Sequence, residues 1–353
     1  MTLRRTRRRR GSAVTIHEVA RKAGVSPMTV SRVTNGEDNV REATRDLVMK
    51  AIRELNYSPN PAARSLAGAQ STRIAMIYSN PSVAYLSELL VGALDKASKT
   101  AAQLVLEKWD ELKPAAERAA ARKLAQSVAG VILPPPLCES DVIASELAAA
   151  DIPVIAIATG RFRANVSCVR IDDFRAASEM TAHLLSLGHQ RIGFIKGHPN
   201  QTASAQRFAG FETTMEAAGL TPNPAYVQQG YFTYRSGLEA AEALLDRKRP
   251  PTAIFASNDD MAAAVISVAH RRGMDVPGDL SVVGFDDTVT ATTVWPELTT
   301  IRQPIAAMAD AALNLLLRKI RHKKVGEPAE PVDHLFAHEL VKRASDGPPP
   351  KDA

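Results

Sequence analysis

From residue 71 onward the chain repeats one pattern, a short β-branched apolar run followed by a stretch with helical spacing. RIAMIY (73–78) precedes a helix near 84–99, QLVLEK (103–108) one near 114–127, and GVILP (130–134) one near 140–149. PVIAIA (153–158) then leads to CVRI (168–171). A second set opens with a helix near 174–187 and RIGFIKG (191–197), followed by a helix near 204–218 and YVQQG (226–230). It continues with a helix near 234–247, TAIFAS (252–257), a helix near 259–272 and SVVGFDD (281–287). Apolar runs alternating with helices predict parallel sheets covered on both faces. Two sets predict two lobes, the first about 71–171 and the second about 172–301. TTIRQP (299–304), a helix near 305–320 and DHLFAH (333–338) are expected to return to the first lobe, so that 302–340 belongs to it. Such crossovers leave a cleft at the carboxyl ends of the strands, where α/β folds bind ligands.

The 70 residues before this core differ in character. They carry 14 Lys and Arg against 6 Asp and Glu, whereas the other residues hold 30 basic and 32 acidic side chains. A basic head on a near-neutral body points to a polyanion-binding module joined to something else. Much of that charge is the run Arg4 to Arg10, so residues 1–13 also read as a disordered basic tail, and the case for DNA must rest on the helices behind it. MTLRRTRRRR has no apolar segment after it, which argues against a secretory signal. No apolar run is long enough to span a bilayer, so no membrane is expected. Cys138 and Cys168 form no CxxC, which fits a reduced cytoplasmic protein without a structural metal.

Within the head, residues 14–58 read as three helices around a small core. Ile16, Val19 and Ala20 mark the first helix and Val30 and Val33 the second. Ala23 and Gly24 between them suit a tight turn. Ser26 followed by Pro27 is a helix start, an N-cap oxygen and then a ring already at helical φ. A third helix is expected from about Arg41 to Leu55, its stripe formed by Ala43, Leu47, Val48, Ala51, Ile52 and Leu55. The second helix would present Pro27, Met28, Thr29, Ser31 and Arg32 at its exposed start, as a helix that reads the major groove does. An ordinary helical hairpin shares this turn, so the surroundings must decide. Residues 59–70 follow as a segment with two prolines nearby and an Ala-rich stretch, either a plain linker or a hinge that folds on binding.

The order VTIHEVARKAGVSPMTVSRVTNG…VREATRDLVMKAIRELNYSPNPAARSLAG closely resembles the DNA-binding head of the lactose-repressor (LacI/GalR) family across Val14 to Gly68. The resemblance implies that the second helix enters the major groove. Pro27, Met28, Ser31 and Arg32 would face bases, and Ser26, Thr29, Asn35, Tyr57 and Asn60 would lie near phosphates. Hinge helices of two subunits, including Ala63, would enter the minor groove together, with Leu66 as an apolar wedge that opens a base step. One departure matters. Pro27 has no side-chain donor and Met28 offers only apolar surface, so neither makes a bidentate base pair contact, whereas Arg32 suits guanine O6 and N7.

The core resembles the same family through GHQRIGFIKG…SAQRFAGF, AIFASNDDMA, DLSVVGFDDT…PELTTIRQP and LVKRAS. Taken singly, Arg207, Asn258 and Asp286 each have an ordinary explanation: a helix charge paired with Glu212, an N-cap, and a turn residue. The resemblance implies instead that they hold a sugar or other effector, with Phe232 covering one sugar face. From the first lobe, Ser79, Val83, Tyr85 and Leu86, and the loop from Ala158 to Phe162, would line the same cleft. Ala158 stands where a hydroxyl-binding aspartate is sometimes found, and Arg161 and Arg163 beside it favour an acidic ligand such as a sugar acid or sugar phosphate.

The expected architecture is therefore an all-α helix-turn-helix head and an α/β core, residues 71–340, of two Rossmann-like (periplasmic-binding-protein-like) lobes. A flexible tail is expected over 341–353; it has no leucine heptad, so a homodimer is expected rather than a zippered tetramer. The implied function is a repressor of carbohydrate-utilisation genes that binds a pseudo-palindromic operator in double-stranded DNA under control of a small sugar-derived effector. No cofactor, metal or catalytic residue is expected. The chain has no GxSxG, P-loop or metal-ligand cluster, GHPNQTASAQR lacks the spacing of a dinucleotide fingerprint, and His189 reads as structural. The alternative class is a solute-binding protein or sugar-processing enzyme carrying a basic head. A signal peptide would favour the first and a nucleophile motif the second.

Overall fold

The computed structural model describes residues 14–34, 40–55, 57, 72–79, 81–100, 102–109, 113–163, 165–327 and 330–351. Two compact units divide at Ser71 and Thr72. The expected basic tail and hinge, with Asn35, Asn60, Ala63 and Leu66, lie outside the described residues.

In the first unit α1 spans Ile16–Ala23, α2 Pro27–Thr34 and α3 Glu42–Leu55. Local chemistry fixes both ends of the α1–α2 turn. The Glu18 carboxylate accepts the Thr15 backbone N–H at 2.8 Å, the reciprocal half of a capping box. Gly24 ends α1 at φ 70°, a left-handed conformation that other residues adopt at a cost. Ser26 Oγ then accepts the Thr29 N–H at 3.1 Å and starts α2. Val19, Ala20, Val30, Val33, Val48 and Ala51 form the core, and a Lys22–Glu54 ion pair of 2.6 Å links α1 to α3. The stripe expected on α3 is narrower than its sequence implied: Leu47 is 55% exposed and Ala43 is exposed as well. Three short helices offer α3 only one neighbouring groove, and Val48 and Ala51 fill it.

The second unit holds two six-stranded sheets. The first comprises β1 (Thr72–Tyr78), β2 (Ala102–Lys108), β3 (Gly130–Leu133), β4 (Val154–Ile157), β5 (Ser167–Ile171) and β11 (Asp333–Phe336). Its order is β11-β5-β4-β3-β1-β2, and every pair is parallel. Alternation along β1 serves two faces. Ile74 and Met76 pack with Leu89 of α4 (Val83–Ser98) and Leu313 of α12 (Ile305–Lys324). Ala75 and Ile77 pack with Leu124 of α5 (Pro114–Ala125) and Ile143 of α6 (Asp141–Ala149). A Cβ on Gly92 would lie 2.1 Å from the Ala306 carbonyl oxygen, so glycine lets α4 and α12 touch by backbone.

The second sheet comprises β6 (Ile192–Lys196), β7 (Val227–Gln229), β8 (Ala253–Ala256), β9 (Ser281–Asp286), β10 (Thr299–Arg302) and β12 (Glu339–Val341). Its order is β12-β10-β9-β8-β6-β7, parallel except for β12 against β10. Phe194, Phe255 and Phe285 pack with α7 (Asp173–Ser186) and α8 (Thr202–Ala217). Ile195, Ile254 and Val282 pack with α9 (Tyr234–Leu245) and α10 (Asp259–Arg271).

Two expectations about the chain's end fail. TTIRQP does not return to the first lobe, because β10 pairs with β9 from Thr299–Val283 to Arg302–Asp286. Among the described residues after β10, α12 and β11 cross back, and β12 returns to the second sheet. Nor is the chain beyond 340 a loose tail as far as Lys351. Ser345 is fully buried, its hydroxyl donates to Val282 O at 2.6 Å, and its carbonyl accepts the Val282 N–H at 2.8 Å. Asp346 meets His183 Nε2 at 2.6 Å, and Gly347 O meets His189 Nε2 at 2.8 Å. Hydrogen bonds from side chain and backbone rather than apolar residues hold this strap, so hydropathy gave no sign of it. His189 is a buried structural group, bonded also to Thr252 and Ser281 at 2.9 and 3.1 Å.

Candidate functional site

In the first unit α2 buries Val30 and Val33 and turns its other side outward. Met28 is 65% exposed and Arg32 is exposed, while Pro27, Thr29 and Ser31 are half-buried. Ser26 and Thr29 share a 2.9 Å hydroxyl contact at the helix start. The Tyr57 N–H donates to Ile52 O at 3.0 Å and its ring packs against the core of this unit, which fixes it beside the end of α3.

In the second unit Ser82, Tyr85, Pro135, Ala158, Gln201, Ala203, Arg207, Phe232, Asn258 and Asp286 enclose one cavity between the lobes. Its free space is about 20 Å3 for the centres of water-sized molecules, so a larger ligand needs the lobes to part. Three lining residues hold left-handed backbone without being glycine: Ala158 at φ 54°, Phe232 at 60° and Asp286 at 112°. Strained backbone of this kind gathers at functional sites, where the surroundings over-determine it. Asp286 stands at the end of β9, Asn258 follows β8, and Arg207 projects from the second turn of α8.

Arg207 is 5% exposed and held by two hydrogen bonds. Its Nε donates to Asp173 at 2.8 Å, its Nη1 donates to Ser257 O at 2.6 Å, and that nitrogen lies 3.7 Å from Asp286. Its guanidinium carbon sits 3.6 Å from the Phe285 ring centroid. Glu212 is not its partner, so the plain surface reading of Arg207 fails. Asp286 accepts from Gln303 Nε2 at 2.6 Å. Burial pushes the Asp286 carboxyl up to about 7, helped by Asp260 and Asp173 and opposed by Arg207 and Gln303. Asn258 is an N-cap as well as a lining residue: its Oδ1 accepts the Met261 N–H at 3.1 Å and its Nδ2 donates to Phe232 O at 3.2 Å. Two lining atoms are buried without a hydrogen-bond partner, the Tyr85 hydroxyl and Gln201 Nε2. Burial raises the Tyr85 hydroxyl far above its usual range, so it stays a donor.

Of the expected lining residues, Tyr85, Ala158, Arg207, Phe232, Asn258 and Asp286 meet at this cavity. Ser79 does not; it lines a neighbouring hollow with Glu117, Glu139 and Asn200. Val83 is 75% exposed and Leu86 packs into the first-lobe core. Arg161 is exposed and outside the cavity. Arg163 is tied to Asp141 and to Cys138 O. The two arginines therefore give no positive cavity, and the grounds for an acidic ligand fall away. Sequence reasoning missed Ser82, Pro135, Gln201 and Ala203. Ser82 was visible as an N-cap before an apolar helix, whereas nothing local marked the other three. Among the described residues no group of three His, Cys, Asp or Glu side chains gathers to hold a metal ion.

Comparisons with known proteins agree with both units. Residues 15–60 match the model of bacterial regulatory proteins, lacI family, and residues 181–345 match a periplasmic binding protein-like domain. Catabolite control protein A of Priestia megaterium is 34% identical over 322 residues, 91% of this chain and 97% of that one. The chain belongs to the LacI family of bacterial regulatory proteins. Other LacI-family relatives include the transcriptional regulator CelR of Thermobifida fusca, 34% identical over 94% of this chain and 98% of its own. A solved CelR–cellobiose complex superposes with TM-score 0.70 at 32% identity, over 94% of this chain and 99% of that one. The lac repressor dimer bound to operator and the anti-inducer ONPF gives TM-score 0.70 at 30% identity, over 95% and 99%. The relatives named here are transcriptional regulators, and the helix-turn-helix head joined to a two-lobed core is the arrangement of this family.

Proposed function

We propose that two copies of this chain bind a pseudo-palindromic operator and repress carbohydrate-utilisation genes under the control of a small effector bound in the cleft. In the head, Arg32 pairs with a guanine and Met28 and Pro27 pack on thymine methyls. Ser31 faces the bases beside them, while Ser26, Thr29, Asn35, Tyr57 and Asn60 hold phosphates and register. Two hinges, with Ala63 and Leu66, enter the minor groove at the operator centre. The regulator works in the cytoplasm, on the nucleoid when operator-bound, and carries out no catalysis.

The observation that carries the effector reading is the pair of unpartnered buried atoms, Tyr85 Oη and Gln201 Nε2, in a cavity that also holds Asp286 and Arg207. Unpaired buried donors cost about 1–3 kcal/mol each, which a ligand's hydroxyls would return. One arginine faces two carboxylates, Asp173 and Asp286, so the cavity suits a neutral polyhydroxylated ligand rather than an anion. The Phe232 ring supplies an apolar face. Effector and operator are then linked through the angle between lobes, and each changes the other's affinity by the same factor.

Calorimetry with neutral sugars, cellobiose among them, and with sugar phosphates tests the ligand class. Heat from neutral sugars alone supports it; heat from phosphates alone refutes it. A gel shift with the upstream region of the protein's own operon tests the DNA half.

A further inference from the structure

Helix α8 begins at Thr202 with Gln201 as its N-cap, and the Gln201 side chain makes no capping bond. The acceptor comes from the opposite lobe. Glu139 closes the short 3-10 turn Leu137–Glu139 of the first lobe, and its Oε1 accepts the Thr202 N–H at 3.2 Å and the Thr202 hydroxyl. The Thr159 hydroxyl donates to the same oxygen at 3.3 Å. The Gly160 N–H donates to Thr202 Oγ at 2.9 Å. A Cβ on Gly160 would lie 2.4 Å from the Ala203 backbone nitrogen, so main chain meets main chain here. A second tie flanks the cavity: the Ser82 hydroxyl donates to Asp260 Oδ2 at 2.7 Å.

We propose that Glu139 is a positioning residue for the effector, holding the closed cleft by capping a helix of the other lobe. A carboxylate at a helix N-terminus satisfies an orphan N–H and opposes the positive end of the dipole. When the lobes part, Thr202 leaves Glu139, and α8 loses an acceptor that its own N-cap does not supply. The closed state thus gains from Glu139 whether or not a ligand is bound. Closure also brings Gln201 and Ala203, one residue to either side of Thr202, to the cavity wall. An effector needing the closed cleft binds more tightly by the fraction of molecules already closed. This inference rests on the effector reading of the cleft for its consequence in binding, and on the inter-lobe bonds alone for its structural part.

The test uses the full-length protein as wild type, Glu139→Ala and Glu139→Gln, with thermal melts to confirm folding. Hydrogen exchange is followed by mass spectrometry at residues 200–206, scattering gives the radius of gyration, and calorimetry uses cellobiose as probe. In Glu139→Ala, exchange at these amides should rise about tenfold and the radius of gyration should increase, because a charge-assisted bond and its lobe contact are lost. Glu139→Gln keeps size and a neutral acceptor and should fall between wild type and Glu139→Ala. Cellobiose affinity should drop about tenfold in Glu139→Ala and less in Glu139→Gln. Unchanged exchange and radius in Glu139→Ala, or a Gln variant no closer to wild type than Ala, overturns the role of Glu139. Failure of cellobiose to bind wild type counts against that sugar as effector and leaves exchange and scattering to decide on Glu139.

Discussion

Arg207 and Asp286 lie 3.7 Å apart on the second-lobe wall of the cleft, each side chain 6% exposed. The closer partner of Arg207 is Asp173, at 2.8 Å. One guanidinium therefore serves two buried carboxylates, and it lies on the Phe285 ring. The arrangement holds Asp286 at the cavity wall, where its carboxyl can meet a ligand's hydroxyl.

Removing that cation should destabilise the fold as well as the site. Arg207→Met leaves Asp173 and Asp286 buried without their positive partner, a loss of about 3–5 kcal/mol. Urea denaturation of the variant should show the drop, and adding Asp173→Asn should recover part of it. A loss under 1 kcal/mol would contradict the geometry.

The Asp286 carboxyl makes stability depend on pH with a definite sign. Its folded value is raised to about 7 from 3.8, chiefly by burial. Between those values the folded state holds a proton that the unfolded state has lost. The contribution is full below pH 4 and is lost as pH rises to 7, by at most about 4 kcal/mol. The stability difference between wild type and Asp286→Asn should therefore shift against wild type between pH 4 and 7. A difference independent of pH would place the Asp286 carboxyl in its ordinary range.

Most of the fold was legible because alternation and helical spacing record which face each element buries. The head was legible for another reason: Gly24, Ser26 and Pro27 carry turn chemistry at fixed positions. Arg207, Asn258 and Asp286 were found by resemblance, since each also has an ordinary explanation in its own segment. Ser79 and Arg161 misled because sequence proximity to a strand end does not say which way a loop turns. Gln201 and Glu139 were invisible, as their roles come from the opposite lobe. The strap through Ser345 was missed because polar bonds to β9 and β10 hold it, and these leave no hydrophobic period.

Gly197 gives Phe232 its place. A Cβ there would lie 1.9 Å from the Phe232 ring. Gly197→Ala should displace the ring from the cleft, cost about 1–3 kcal/mol by overpacking and abolish effector binding. A melt with calorimetry of the folded variant checks both parts, and unchanged affinity would exclude Phe232 as a ligand platform.

Truncation after Val341 removes the Ser345 bonds to Val282 and Thr299 and the Asp346 contact with His183. The shortened protein should melt several degrees lower, since each buried bond lost leaves an unpaired group worth about 1–3 kcal/mol. An unaltered melting temperature would show that the strap is dispensable.

The proposed linkage between the cleft and the operator is open to direct measurement. Operator affinity of wild type and Asp286→Asn should be measured by fluorescence anisotropy at constant salt, with and without the neutral sugar that binds in calorimetry. In wild type the sugar should change operator affinity between about fivefold and 150-fold, whereas Asp286→Asn should bind operator as wild type does and respond little. Equal operator affinity in wild type with and without saturating sugar would contradict the account.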